Sequence, residues 1–151
     1  MSEAVSGVPL RRIARRVKLF AQALCGRDGR THDLPDSLES TQPMARATVS
    51  EDGRSIGLPS LVRRYPTYDE NVRLYMVMAA HEAGHLEFGT FDLPIVRLQD
   101  LVEDLAQRYG RAVPNEARTL GDVFVRYPQP GLIRDLWALV EDARVEYLLR
   151  A

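Results

Sequence analysis

The stretch from Thr67 to Phe88 constrains this chain more than any other. Thr67-Tyr68-Asp69-Glu70 has capping-box spacing: a hydroxyl that can accept from the backbone three residues on, and a carboxylate that can reach back. It opens a helix expected to run to about Phe88. At about 100° per residue, Val72, Met76, Ala79, Ala83 and Leu86 fall on one apolar face. Leu74, Val77, Met78 and Phe88 fall on the other side, so the helix is apolar nearly all round and belongs inside a domain. His81 and His85 lie within that second apolar face. Buried imidazoles need partners, because an unpaired polar group in a dry site costs about 1–3 kcal/mol.

Residues 78–89 read MAAHEAGHLEFG, so His81, Glu82 and His85 spell H-E-x-x-H. Residues four apart stack one turn above each other, and both imidazoles can reach one tetrahedral ion at about 2.0–2.1 Å. Glu82 projects about 100° round from His81, beside such an ion rather than on it. There it can act as general base toward a water that Zn²⁺ has acidified to a pKa of about 7. Ala83 and Gly84 are small and let another element approach the helix closely. The plain alternative is a pair of core histidines hydrogen-bonded to protein groups.

A catalytic zinc takes three protein ligands and keeps a position open. His32 is the only other histidine, and it stands in a turn-rich stretch where solvation is the ordinary fate. Immediately after His85, LEFGTFDLP offers only Glu87 and Asp92. The last helix offers more. Its VEDARVE, residues 140–146, groups Glu141, Asp142 and Glu146 beside an apolar stripe of Leu132, Leu136, Leu139, Val140, Ala143 and Tyr147. Asp142 and Glu146, one turn apart, read as a ligand and a neighbouring carboxylate that orients a histidine. Glu141 points the other way, toward Trp137, Val145 and Leu148, and geometry hardly separates it from Asp142 as the ligand. Alternatively all three are solvated, paired along the helix with Arg144 or Arg150.

The rest of the chain frames this helix. Leu10, Ile13, Val17, Phe20 and Leu24 recur at helical steps with Arg11, Arg12, Arg15, Arg16 and Lys18 mostly off the stripe, so 1–26 reads as an amphipathic helix closed by Gly26. Residues 27–44 read as a loop. Residues 45–59 read as a β-hairpin around Glu51-Asp52-Gly53, the only sheet expected. Further helices are expected at 96–109, capped by Gly110, around 119–126, and from Gly131 to the end. The last lacks a stop signal, which gives the expectation that the chain is a piece of a longer protein. The expected fold is therefore α+β and mainly helical, with the helical metal-site core at 67–151.

A net charge of −1 gives no basic excess for a nucleic-acid partner. No apolar run approaches the roughly 18 residues of a membrane span. Cys25 stands alone, which excludes an intrachain disulfide and a cysteine-rich zinc site and fits a reducing, cytoplasmic setting.

With HEAGHLEFG and VEDARVE in hand, the chain resembles the N-terminal region of bacterial von Willebrand factor A-domain proteins related to the nitric oxide reductase activation protein. KLFAQALCGR, the hairpin with IGLPSLVRRY, MVMAAHEAGHLEFGTF and YPQPGLIRDLWALVEDARVEYLLR carry the likeness, which spans about residue 18 to the end. It implies an AAA+ ATPase partner of the MoxR type and a role in metalloenzyme maturation. In that family the region precedes an A domain that this sequence lacks. The motif is also similar to that of gluzincin metallopeptidases, whose third ligand is a glutamate followed four residues later by an aspartate. Here Asp142-Glu146 has the reverse order, and Glu141 is followed at that distance by Val145. The expectation is a single zincin-like domain over 1–151 holding Zn²⁺ and cleaving a peptide or protein substrate. The alternative is a non-catalytic, metal-stabilised interaction module.

Overall fold

The computed structural model describes residues 7–25, 37–43, 45–49, 55–110 and 117–151. They form the mainly helical α+β arrangement expected. Strand β1 (Val8–Pro9) leads into α1 (Leu10–Leu24), followed by β2 (Ser37–Thr41), β3 (Thr48–Val49), β4 (Ser55–Pro59) and β5 (Leu61–Val62). Helices α2 (Tyr68–Glu87), α3 (Gln99–Tyr109), α4 (Leu120–Phe124) and α5 (Pro130–Arg150) complete the chain, with a 3-10 turn at Ile95–Leu98 before α3. The chain divides into two compact units, Met1–Phe91 with Val145–Ala151, and Asp92–Arg144.

In the first unit, α1 buries Leu10, Ile13, Val17 and Ala21 and exposes Arg11, Arg12, Arg15 and Arg16, as its stripe requires. It closes on Cys25, whose N–H donates to the Ala21 carbonyl at 3.1 Å; Gly26, the expected cap, lies outside the described residues. The expected hairpin is present as β3 antiparallel to β4, with Thr48 opposite Gly57 and Val49 opposite Ile56. Its turn residues lie outside the described ones, and Ala45 and Ala47 precede the strand rather than form it. The expectation of a loop over 27–44 is corrected at Ser37–Thr41. That segment is β2, parallel to β4 from Ser37 opposite Ser55 to Thr41 opposite Pro59. SLEST carries no strong strand pattern of its own; a distant partner supplies its hydrogen bonds, a non-local effect that local sequence does not report. β1 and β5 make a second, two-stranded antiparallel pair, also unforeseen.

Helix α2 begins as predicted. Thr67 caps it, with the Glu70 N–H donating to Thr67 Oγ1 at 3.3 Å and the Thr67 N–H donating to Glu70 Oε2 at 3.2 Å. One turn in, the fully buried Asn71 satisfies its whole side-chain amide. Its Oδ1 accepts from the Arg64 and Tyr65 N–H groups at 2.8 and 2.9 Å, and its Nδ2 donates to the Tyr65 and Thr67 carbonyls, both at 2.8 Å. The helix is thereby tied to the loop that leads into it from β5. Tyr75, also fully buried, donates its hydroxyl to the Pro59 carbonyl at 2.6 Å, and burial pushes its pKa up to about 12. These contacts join α2 to β4 and, with Val72, Ala79, Ala83, Ile56 and Leu58, make the core beneath the histidines.

The second unit has a small core of Val102, Leu105, Ala117 and Val123, with Ile95 and Tyr127 packed on it. Gly110 closes α3 in the left-handed conformation, as its position predicts. Thr119 and Asp122 form a second capping box at the start of α4. On α5 the apolar stripe is not the buried face: Leu132, Leu136, Leu139, Val140, Ala143 and Tyr147 are exposed, while Glu141 and Val145 are buried. Periodicity finds a stripe and cannot say which side of the helix another element meets. Here Gly84 of α2 leaves a gap on the Val145 side, with Val145 and Leu149 seated against it.

Candidate metal centre

Two features of α2 set the positions of its histidines. The first is the small pair Ala83-Gly84. A Cβ added at Gly84 would stand 2.6 Å from Val145 Cγ1 and 3.3 Å from Leu149 Cδ1, so only glycine admits α5 at this distance. Ala83 is fully buried on another face, where its carbonyl accepts from the Cys25 thiol at 3.6 Å. Burial, with the Glu87 carboxylate adding to it, pushes that thiol up to about 11, so Cys25 packs as an inert small apolar group. The second feature is the helix end. Glu82 to Glu87 are buried on every side, whereas earlier along α2 the expected second apolar face opens to solvent: Val77 is 64% exposed, and Leu74 and Met78 are half-buried. The all-round burial therefore belongs to the last turns alone, where α5 covers the helix.

His85 is buried and His81 half-buried. Their Nε2 atoms face each other at 3.2 Å with the rings nearly perpendicular, at 81°. Two ligands at the usual 2.0–2.1 Å from a tetrahedral ion stand about 3.3–3.4 Å apart, so the observed separation suits two ligands on one ion as well as an N–H···N hydrogen bond between the rings. Asp142, on the turn of α5 that leads into Val145, brings a carboxylate oxygen to the pair, and the three donor atoms lie within 4.8 Å of one another. Closing that spread to a tetrahedral edge takes about 1.4 Å at most, the scale of one side-chain torsion. Two imidazoles and a carboxylate suit a borderline divalent ion and leave a fourth position for a water or a substrate atom. The residues present therefore fit a metal.

The other carboxylates are placed differently. Glu141 is buried, as its neighbours Trp137 and Val145 suggested, but it accepts from Arg144 Nε at 3.1 Å and Nη2 at 2.7 Å. Glu146, expected to orient a histidine, is exposed and pairs with Arg150 at 3.5 Å. Pairing along the helix thus describes Glu141 and Glu146, while Asp142 joins the histidines. Glu82 is buried beside His81 in the chain, Glu87 is buried and Asp92 exposed; His32 lies outside the described residues. One neighbour of the site went unforeseen. Thr90 is buried, and its Oγ1 stands 3.0 Å from His85 Nδ1. The available signal was Gly89-Thr90 just past the helix end, a helix-stop pattern that can fold its second residue back onto the last turn.

No family model, curated protein or solved structure matches the chain.

Proposed function

We propose that this chain is a zincin-like metallopeptidase domain that holds Zn²⁺ through His81, His85 and Asp142. The observation that carries the reading is the convergence of three donor atoms from two helices within 4.8 Å, with the imidazole nitrogens at 3.2 Å. Zn²⁺ there supplies a Lewis acid that polarises a carbonyl and acidifies water. The chain's own work falls to Glu82. Glu82 is buried and follows His81 in the chain, and its carboxylate takes a proton from the attacking water as the new C–O bond forms at the peptide carbonyl. It then returns that proton to the amide nitrogen, whose departure breaks the C–N bond. Burial keeps bulk water from competing with this transfer. Substrate is an unmodified peptide bond in a peptide or protein.

The test has two arms. Purified wild type carries about one zinc per chain by elemental analysis, and His81→Ala loses it. Glu82→Gln keeps the zinc and the fold but abolishes cleavage of a mixed peptide library. Wild type without zinc, and unaltered by His81→Ala, ends the metal reading.

A second reading keeps the metal and drops the chemistry: a metal-stabilised interaction module serving a MoxR-type ATPase and von Willebrand A-domain maturation system. It draws on the exposed stripe of α5, since a contiguous exposed apolar face marks association surfaces. Peptide cleavage absent from wild type and from Glu82→Gln alike, with zinc retained in both, selects this reading.

A further inference from the structure

Helix α2 ends in a Schellman motif, and the motif does more than stop the helix. Gly89 takes a left-handed φ of 67°, the Gly89 N–H donates to the Leu86 carbonyl at 3.3 Å, and the Thr90 N–H donates to the His85 carbonyl at 2.9 Å. The second of these bonds returns the chain to the residue five positions earlier. It thereby sets the Thr90 hydroxyl 3.0 Å from His85 Nδ1, at a site where Thr90 is 5% exposed. The backbone that terminates the helix and the side chain that meets the ring are thus fixed by the same turn. On the other side of the ring, Nε2 stands 3.2 Å from His81 Nε2, and Asp142 completes the same group of donors, all within 4.8 Å of one another.

An imidazole binds a metal through the nitrogen that carries no proton, so the hydrogen bond at the other nitrogen selects the competent tautomer. We propose that Thr90 is a positioning residue: its Oγ1 accepts the Nδ1–H of His85, holding the lone pair on Nε2 toward His81 and Asp142. This rests on the metal reading above. Threonine suits the position because its neutral hydroxyl can accept the Nδ1–H without adding a full charge to the site. Its β-branched χ1 is also stiff, so the hydroxyl is aimed before any ion arrives.

The tautomer is testable without metal. Long-range ¹H–¹⁵N correlation spectra of the chelator-treated chain, with the His85 signals assigned by His85→Gln, are expected to show the Nδ1–H form. In isosteric Thr90→Val the ring loses that preference, and zinc affinity by competition with a chromophoric chelator falls by about 10-fold or more, the usual effect of losing such a partner. Thr90→Ser, which keeps the hydroxyl, stays within about two- to three-fold of wild type. An Nε2–H form in the wild type overturns the proposal, as does Thr90→Val with wild-type affinity or Thr90→Ser as weak as Thr90→Val. Should wild type bind no zinc while His85 holds the Nδ1–H form and Thr90→Val loses it, the metal reading has failed and the positioning contact stands. Should Thr90→Val not fold, the wild-type tautomer and the Thr90→Ser affinity still decide.

Discussion

Gly84→Ala sets two effects of opposite sign against each other. In an exposed helix interior, alanine is favoured over glycine by about 1 kcal/mol. At this position the new methyl would lie 2.6 Å from Val145 Cγ1, against ordinary contact beginning at 3.4 Å, so at least 0.8 Å must be found. The atom met is not the free end of a flexible chain. Val145 is β-branched, fully buried and stiff at χ1, and Leu149 stands 3.3 Å away on the same side. The room has to come from α5 moving as a body, and overpacking of this kind costs about 1–3 kcal/mol. Net destabilisation of up to about 2 kcal/mol is expected, a drop in Tm of several degrees at about 2–4 °C per kcal/mol for a chain of this size. Because Asp142 lies three residues before Val145, about 4.5 Å along the same helix, the displacement also moves the third donor away from the histidines. Thermal melts with and without Zn²⁺ read the first effect, and chelator competition the second. Adding Val145→Ala relieves the clash, giving a favourable coupling of about 1–2 kcal/mol in a double-mutant cycle. If Gly84→Ala instead raises Tm by its propensity alone and leaves zinc affinity unchanged, the close approach of α5 is not what glycine serves here.

Two further perturbations probe the frame around the site. Asn71→Ala strips partners from two backbone N–H groups and two carbonyls at the entry to α2, and a loss of about 2–4 kcal/mol in urea unfolding is expected; a loss within about 0.5 kcal/mol refutes the account, as that is the scale of an ordinary surface substitution. Glu70 is held below its ordinary pKa of 4.5 chiefly by hydrogen bonds from the Thr67 hydroxyl and N–H. Its folded value lies below its unfolded one, so its contribution is complete above pH 4.5 and is lost as pH falls through the folded value. Glu70→Gln should therefore flatten that part of the acid limb while leaving the neutral-to-basic limb as it was, and an unchanged acid limb would count against the cap.

The elements legible in the sequence are those whose signals are local. The Thr67 capping box sits three residues from its own partner, the α1 stripe repeats within one helix, and Gly110 ends α3 by its own φ. The hairpin between β3 and β4 was readable because its strands are adjacent in sequence. β2 was not, because its hydrogen bonds go to β4, and the alternation of five residues says nothing about a parallel partner further along the chain. The stripe on α5 misled for a related reason: apolar spacing defines a face, while the choice of buried face was made by the hole at Gly84.

At the site itself, the sequence by itself determined the imidazole pair. Spacing of i and i+4 on a helix puts the two side chains on one face a turn apart whatever else the chain does; the 3.2 Å between their ring nitrogens depends further on the side-chain torsions, and one of the two rings meets Thr90. It also narrowed the third donor to one short acidic run. Which carboxylate joins the histidines was decided only by tertiary structure. Glu141, Asp142 and Glu146 differ by rotation about one helix axis, and that rotation is fixed by Val145 seating against Gly84, which places Asp142 beside the histidines while Glu141 and Glu146 keep their arginines. Thr90 reaches His85 by the same kind of cause, since a hydroxyl finds a ring five residues back only after the chain has turned through Gly89.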